Sequence, residues 1–286
     1  MTTKILLPLD GSKLAERMTG HARRFLHAPG AQVLLLHVVP TAQAAEDAWI
    51  ELEAMRDRLQ ATGIDATARV VVGEPAARIV EIAQEIDATL IALSTHGRSG
   101  VARLARGSVA EEVLRNSPVP VLVANPFALK ENEELPIRTI LVPLDGSKRS
   151  AEILAMAEEV ARLHGAELVL LHVTDLSWCH YPDVARPHEL AMARDFLKRD
   201  LERLSVRARS IVVEGSAPEK IIEAIASEKA DLVALATHGR SGLARWYFGS
   251  VAEAVLRRAA CPLLVSNGER CVERTGANLE IEAAAS

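Results

Sequence analysis

The chain has 286 residues, 49% hydrophobic and 25% charged, a balance that belongs to globular proteins and excludes wholesale disorder. That length accommodates two domains of ordinary size, each able to bury its own core. A net charge of −5 and an aromatic content of 3% exclude a nucleic-acid-coating protein, which needs a basic face and rings that stack on bases.

Lys4 to Leu9 is a short apolar run without alternation, the pattern of a strand buried on both faces. It is too short for the apolar segment of a secretion signal, and no later stretch reaches the about 20 apolar residues of a membrane span. Leu14 to Leu26 carries the mixed charge of a surface helix, Val33 to Val39 is a second buried strand, and Ala45 to Ala61 reads as a helix. Thr67 to Val72 is a third strand, stopped by Gly73-Glu74-Pro75, where proline suits a first helical turn. Helix Ala76 to Ile86, strand Thr89 to Leu93, a glycine-containing loop, helix Val109 to Arg115 and strand Val119 to Val123 complete the series. Five aliphatic strands separated by helices predict a doubly wound parallel sheet.

The series then repeats. Ile5-Leu6-Leu7-Pro8-Leu9-Asp10-Gly11-Ser12-Lys13 returns as Ile140-Leu141-Val142-Pro143-Leu144-Asp145-Gly146-Ser147-Lys148, an offset of 135 (140 − 5). Leu35-Leu36-His37-Val38 returns as Leu170-Leu171-His172-Val173 at the same offset. Thr95-His96-Gly97-Arg98-Ser99-Gly100 returns as Thr237-His238-Gly239-Arg240-Ser241-Gly242, and Gly107-Ser108-Val109-Ala110-Glu111 as Gly249-Ser250-Val251-Ala252-Glu253, both at 142 (237 − 95). The second copy therefore holds seven extra residues, which Asp175 to Glu189 is expected to contain. The expected organisation is a domain over 1–127, a solvated linker over 128–137 with Lys130-Glu131-Asn132-Glu133-Glu134, a second domain over 138–267, and a frayed tail over 268–286.

Cys179, Cys261 and Cys271 have no paired spacing and do not mirror one another, which fits a reducing cytoplasm. Cys179-His180 finds no second Cys/His pair, so no metal site is expected.

Ligands of a doubly wound sheet sit beyond the carboxyl ends of its strands, where strand order reverses. Three regions converge there in each copy: Pro8-Leu9-Asp10 and Pro143-Leu144-Asp145, then Val38 and Val173, then the loop leading to Gly107-Ser108 and Gly249-Ser250. A helix start presents unpaired N–H groups and partial positive charge to a phosphate, and glycine lets phosphate oxygens come close. Bland readings stand beside these. Ser108 and Ser250 open Ser-Val-Ala-Glu capping boxes, and Asp10 is also a possible helix cap. His37 and His172 read as hydrogen-bonded core residues, whereas His96 and His238 are equally backbone supports or ligand contacts; Arg98, Arg103, Arg240 and Arg245 face phosphate or water. Matched glycines in both copies weigh against a plain loop. Leu104-Ala105-Arg106 before the glycine becomes Trp246-Tyr247-Phe248 in the second copy, so the two sites are expected to differ in affinity.

Ser94-x2-Gly97-x9-Gly107-Ser108 and Ala236-x2-Gly239-x9-Gly249-Ser250 resemble the Gly-x2-Gly-x9-Gly-Ser/Thr motif of the ATP-binding universal stress proteins, except that Ser94 and Ala236 replace the first glycine. The resemblance spans residues 4–124 and 138–266 and includes the Pro-x-Asp and His-Val strand ends. It implies tandem adenine nucleotide α-hydrolase-like domains that bind ATP with Mg2+, adenine and ribose lying by Pro8, Leu9, Asp10 and Val38 and by Pro143, Leu144, Asp145 and Val173. Ser94, His96, Gly97, Arg98, Gly100, Gly107, Ser108 and Val109 would complete the first site. Ala236, His238, Gly239, Arg240, Gly242, Gly249, Ser250 and Val251 would complete the second. It also implies a cytoplasmic stress-response role, an intramolecular pseudo-dimer through Val119–Val123 and Pro262–Val265, and further pairing of tandem chains. A nucleotide-free dimeric scaffold and a slow ATPase are the alternatives; no Walker-type Gly-Lys-Ser/Thr and no evident general base point to catalysis.

Overall fold

The computed structural model describes residues 3–26, 30–95, 108–128, 136–177, 182–236 and 249–266. The chain divides into two compact units, one containing Met1–Leu135 and the other spanning Pro136–Gly268. In the first, β1 (Lys4–Pro8), α1 (Lys13–Arg23), β2 (Gln32–Val39), α2 (Ala45–Gln60), β3 (Asp65–Val72), α3 (Pro75–Glu85), β4 (Leu90–Ser94), α4 (Ser108–Asn116) and β5 (Val121–Ala124) follow in turn. The second runs β6 (Thr139–Pro143), α5 (Lys148–His164), β7 (Glu167–Thr174), α6 (Pro182–Leu201), β8 (Ala208–Glu214), α7 (Ala217–Ser227), β9 (Leu232–Ala236), α8 (Ser250–Arg258) and β10 (Leu263–Ser266).

Each unit holds a parallel sheet, ordered β3-β2-β1-β4-β5 in the first and β8-β7-β6-β9-β10 in the second. The aliphatic runs form the buried centre. Ile5, Leu6 and Leu7 lie inside β1, and Ile140, Leu141 and Val142 repeat that pattern in β6. Ile5 pairs with Val33 on one side and Leu90 on the other, as Ile140 pairs with Leu168 and Leu232. The duplication extends to unusual backbone. Positive φ recurs at Gly11 and Gly146, Gly30 and Gly165, Gly73 and Gly215, and Asp87 and Lys229.

Two differences from the sequence reading have local causes. Strand five starts at Val121 rather than Val119, because Ser117 Oγ accepts from Val119 N and donates to Val119 O, occupying both main-chain groups. Pro120, lacking an N–H, separates this turn from the strand. The seven-residue surplus of the second copy is partly helix, since α6 has 20 residues and α2 has 16. Its first turns are pinned to the end of β8, where Arg186 donates to both carboxylate oxygens of Glu214 at 2.7 and 3.1 Å and also to Asp183. Most of the expected linker and the whole tail lie outside the described residues.

Candidate functional site

In each unit the central strand, β1 or β6, has neighbours whose connections leave in opposite directions, which opens a crevice beyond its carboxyl end. Pro8, Asp10, Val38 and Ser94 are half-buried there in the first unit, as are Pro143, Asp145, Val173 and Ala236 in the second. Leu9 and Leu144 are buried instead; their N–H groups extend the ladder by donating to Leu36 O and Leu171 O, each at 2.8 Å.

The turn after the central strand is the same in both units. Asp10 Oδ1 accepts from Ser12 N at 3.0 Å, and Ser12 Oγ caps α1 by accepting from Ala15 N at 3.1 Å. Asp145 accepts from Ser147 N at 3.0 Å, and Ser147 Oγ caps α5 through Ser150 N at 3.2 Å. Gly11 and Gly146, at φ 74 and 80, permit the left-handed step between aspartate and serine. The helix cap is therefore Ser12, not Asp10; the aspartate shapes the turn, a role for which the short polar side chain is suited. His172 Nδ1 lies 2.8 Å from Leu144 O, and since a carbonyl only accepts, Nδ1 carries the proton and braces the strand end. The ring meets Phe196 of α6 edge-on at 5.9 Å. His37 is buried in β2.

At the other wall of the crevice, α8 begins at a glycine. Gly249 is its N-cap, at φ −56 and ψ 142, and makes no side-chain cap hydrogen bond. Ser250 is the exposed first helical residue and Val251 the half-buried second. Glu253 reaches along the helix to Arg257 at 2.7 Å, and Glu111 likewise to Arg115 at 3.0 Å. The first N–H groups of such a helix have no partner within the helix itself, and the positive end of its dipole lies there.

His96, Gly97, Arg98, Gly100, Gly107, His238, Gly239, Arg240 and Gly242 lie outside the described residues, with Arg103, Arg245 and the segments 104–106 and 246–248. The side chain of Ser108, the first residue of α4, is also outside them. Among the described residues no group of His, Cys, Asp and Glu could hold a metal ion, and no helix is long and apolar enough to cross a membrane. A cavity of about 310 Å³ lined by Lys4, Gln32, Asp65, Glu85 and Asp87 lies at the opposite, amino end of the first unit's strands. The sequence reading overlooked Ser12 and Ser147, although each follows Asp-Gly at a strand-to-helix junction; that spacing was the available signal.

A doubly wound α/β domain repeated in one chain, with half-buried strand ends in each copy, defines a tandem adenine nucleotide α-hydrolase-like fold. The pattern of the Universal stress protein family matches residues 1–125 and again 136–267, so the chain belongs to that family and carries two of its domains. The universal stress protein Rv2005c of Mycobacterium tuberculosis is 29% identical over 236 residues, 78% of each chain. The universal stress protein MJ0531 of Methanocaldococcus jannaschii is 33% identical over 147 residues, 47% of this chain and 84% of its own. A solved universal stress protein from Archaeoglobus fulgidus shares the fold at a TM-score of 0.69 and 22% identity, covering 92% of this chain and 97% of its own.

Proposed function

We propose that each domain binds ATP at the crevice and that nucleotide occupancy governs conformation or partner choice in a cytoplasmic stress response. The observation that carries this reading is the start of α8, where the N-cap is Gly249, a residue with no side chain to fill the space, in a unit whose strand ends are half-buried. The N–H groups of Ser250 and Val251 would take phosphate oxygens, Gly249 would admit them closely, and Asp145, Leu144 and Val173 would border ribose and adenine. Asp10, Leu9 and Val38 occupy the corresponding places in the first domain. Mg2+ would accompany the triphosphate, held mainly by phosphate oxygens and water. Turnover below the ordinary enzyme range of ~1 per second is expected, because the site offers cradling groups and no evident base.

Ser94 and Ala236, in place of the motif's first glycine, favour the competing reading of a nucleotide-free scaffold. We further propose that the two domains form a pseudo-dimer through β5 and β10, apolar strands that each end a sheet order. Solution mass of a fragment over 1–127 tests that pairing: a folded, strictly monomeric fragment at high concentration counts against it.

Calorimetry on the full chain tests the main reading. ATP is expected to bind at two sites and more tightly than adenosine, and Gly249→Val to remove the second site by filling the space phosphate needs. Equal affinities for ATP and adenosine would defeat the phosphate cradle. Absence of nucleotide binding would favour the scaffold.

A further inference from the structure

The cavity of about 310 Å³ at the amino end of the first domain's strands takes no part in the crevice. Its volume lies at the small end of the range for ligand pockets, about 300–1,000 Å³. Ile5, Val33 and Ile86 give it apolar surface, and Asp65, Glu85 and Asp87 give it carboxylates. Lys4 is the cation of the lining, and its Nζ donates to Ile86 O at 3.4 Å. One ammonium against three carboxylates leaves the lining with a net charge of −2 (1 − 3). Arg69, two residues beyond Thr67 on β3, is not in the lining and donates to Glu85 Oε1 at 2.8 Å; with it counted, the surroundings are still negative. Gln32 Nε2 donates to Asp65 Oδ2 at 2.7 Å and holds that carboxylate at the start of β3.

The second domain fills the corresponding place with a side chain of its own. Arg209 of β8 pairs with Val169 as Thr67 of β3 pairs with Leu34, and 169 − 34 is the repeat offset of 135. Arg209 therefore stands where the cavity has Thr67. Its Nε donates to Glu167 at 3.3 Å, and its Nη2 donates to Glu228. Glu167 holds the place of Gln32, each opposite the first residue of its central strand, Thr139 or Lys4. Glu228 is the C-cap of α7 as Ile86 is of α3. A guanidinium thus bridges a strand start and a helix end, and the three residues so joined are the counterparts of three that line the cavity. The first domain has a threonine in place of the arginine and keeps carboxylates around it at Asp65, Glu85 and Asp87.

We propose that the amino-end cavity of the first domain binds a small organic cation through a guanidinium group, in the place that Arg209 fills in the second domain. A planar guanidinium donates in several directions at once, so it serves carboxylates carried by a strand start and by a helix end together. It is more weakly hydrated than a compact ammonium, which suits a lining that is partly apolar. The net negative charge disfavours an anion. The cavity lies at the opposite end of the strands from the crevice, so this site is independent of nucleotide binding.

The test titrates the full chain with agmatine, a guanidinium joined to a primary amine, and follows backbone amides by NMR at low salt, where exposed charge pairs are least screened. The expected result is saturable shifts at the amides of Thr67, Glu85 and Asp87. N-carbamoylputrescine, with an uncharged urea in place of the guanidinium, is expected to bind at least tenfold more weakly, and putrescine, with an ammonium there, more weakly as well. Thr67→Arg puts the second copy's residue at an exposed position and is expected to abolish binding by filling the site. No saturable shift at millimolar agmatine, or equal affinity for either analogue, would overturn the site. Undiminished binding by Thr67→Arg would do so too. Should that variant fail to fold, Glu85→Gln is expected to weaken binding several-fold, and an unchanged affinity there would be equally decisive against the proposal.

Discussion

Helices α1 and α5 hold the same position in their domains and start with the same serine cap, yet they end in opposite ways. α1 buries a histidine and an arginine, His21 and Arg24, whereas α5 leaves Glu159 exposed at the matching place. Strand ends, Asp-Gly-Ser turns and positive-φ positions are matched between the copies. What the two copies share is the strand ends and the turns that follow them; what differs in this pair of helices is their last part. Site-forming geometry tolerates little change because several elements fix it jointly. A single helix face is freer to diverge.

The largest test of this equivalence is in the core. Leu6 and Leu141 are both 0% exposed at the centre of β1 and β6. Replacing either by alanine removes buried methyl groups and leaves a cavity, at a cost of about 2–5 kcal/mol. The two variants are expected to lose similar stability in denaturant unfolding, each in its own domain. A large disparity would show that the copies are not packed alike.

The next effect should split the copies. His21 has a pKa of about 4 in the folded chain and 6.5 when unfolded, so between these values the unfolded chain binds more protons. Stability from this group is complete above pH 6.5 and is lost progressively as pH falls towards 4. The full difference corresponds to about 3 kcal/mol. Glu158, held low chiefly by the Ser205 hydrogen bond, loses its contribution only as pH falls below its unfolded value of 4.5. Denaturant midpoints of wild type minus those of His21→Met isolate the histidine; a difference that stays flat from pH 7 to 4.5 would contradict the assignment.

Much of the fold was legible in the sequence because unbroken aliphatic runs and the repeat leave few arrangements open. Lys4 to Leu9 and Ala45 to Ala61 lie within one residue of the observed β1 and α2. Strand five was set two residues early because a serine side chain at 117 competes for main-chain groups, which apolar content does not reveal. Of the candidate site, the described strand-end residues of each unit lie at the carboxyl ends of that unit's own strands. Ser250, read as a helix cap, is instead the first helical residue of α8, because Gly249 holds the N-cap. The His21 cluster gave no sequence signal at all: a histidine and arginine three apart on a charged helix read as surface, and only tertiary covering buries them.

The smallest effect concerns a matched pair of strained residues. Helices α3 and α7 end in the same motif: Asp87 N donates to Gln84 O and Ala88 N to Ala83 O, while Lys229 N donates to Ala226 O and Ala230 N to Ile225 O. Such an ending puts its penultimate donor in the left-handed region, normally filled by glycine. Here φ is 51 at Asp87 and 52 at Lys229, with a side chain present in both. Aspartate visits that region at modest cost because its short side chain bonds locally, whereas lysine has no such compensation. Lys229→Gly should therefore stabilise the second domain by up to about 1 kcal/mol, the relief of strain outweighing the freedom glycine adds to the unfolded chain. Asp87→Gly should gain less or nothing. Thermal unfolding of both variants measures the contrast, and an equal or larger gain at Asp87 would mean that side-chain type does not set the strain at these two helix ends.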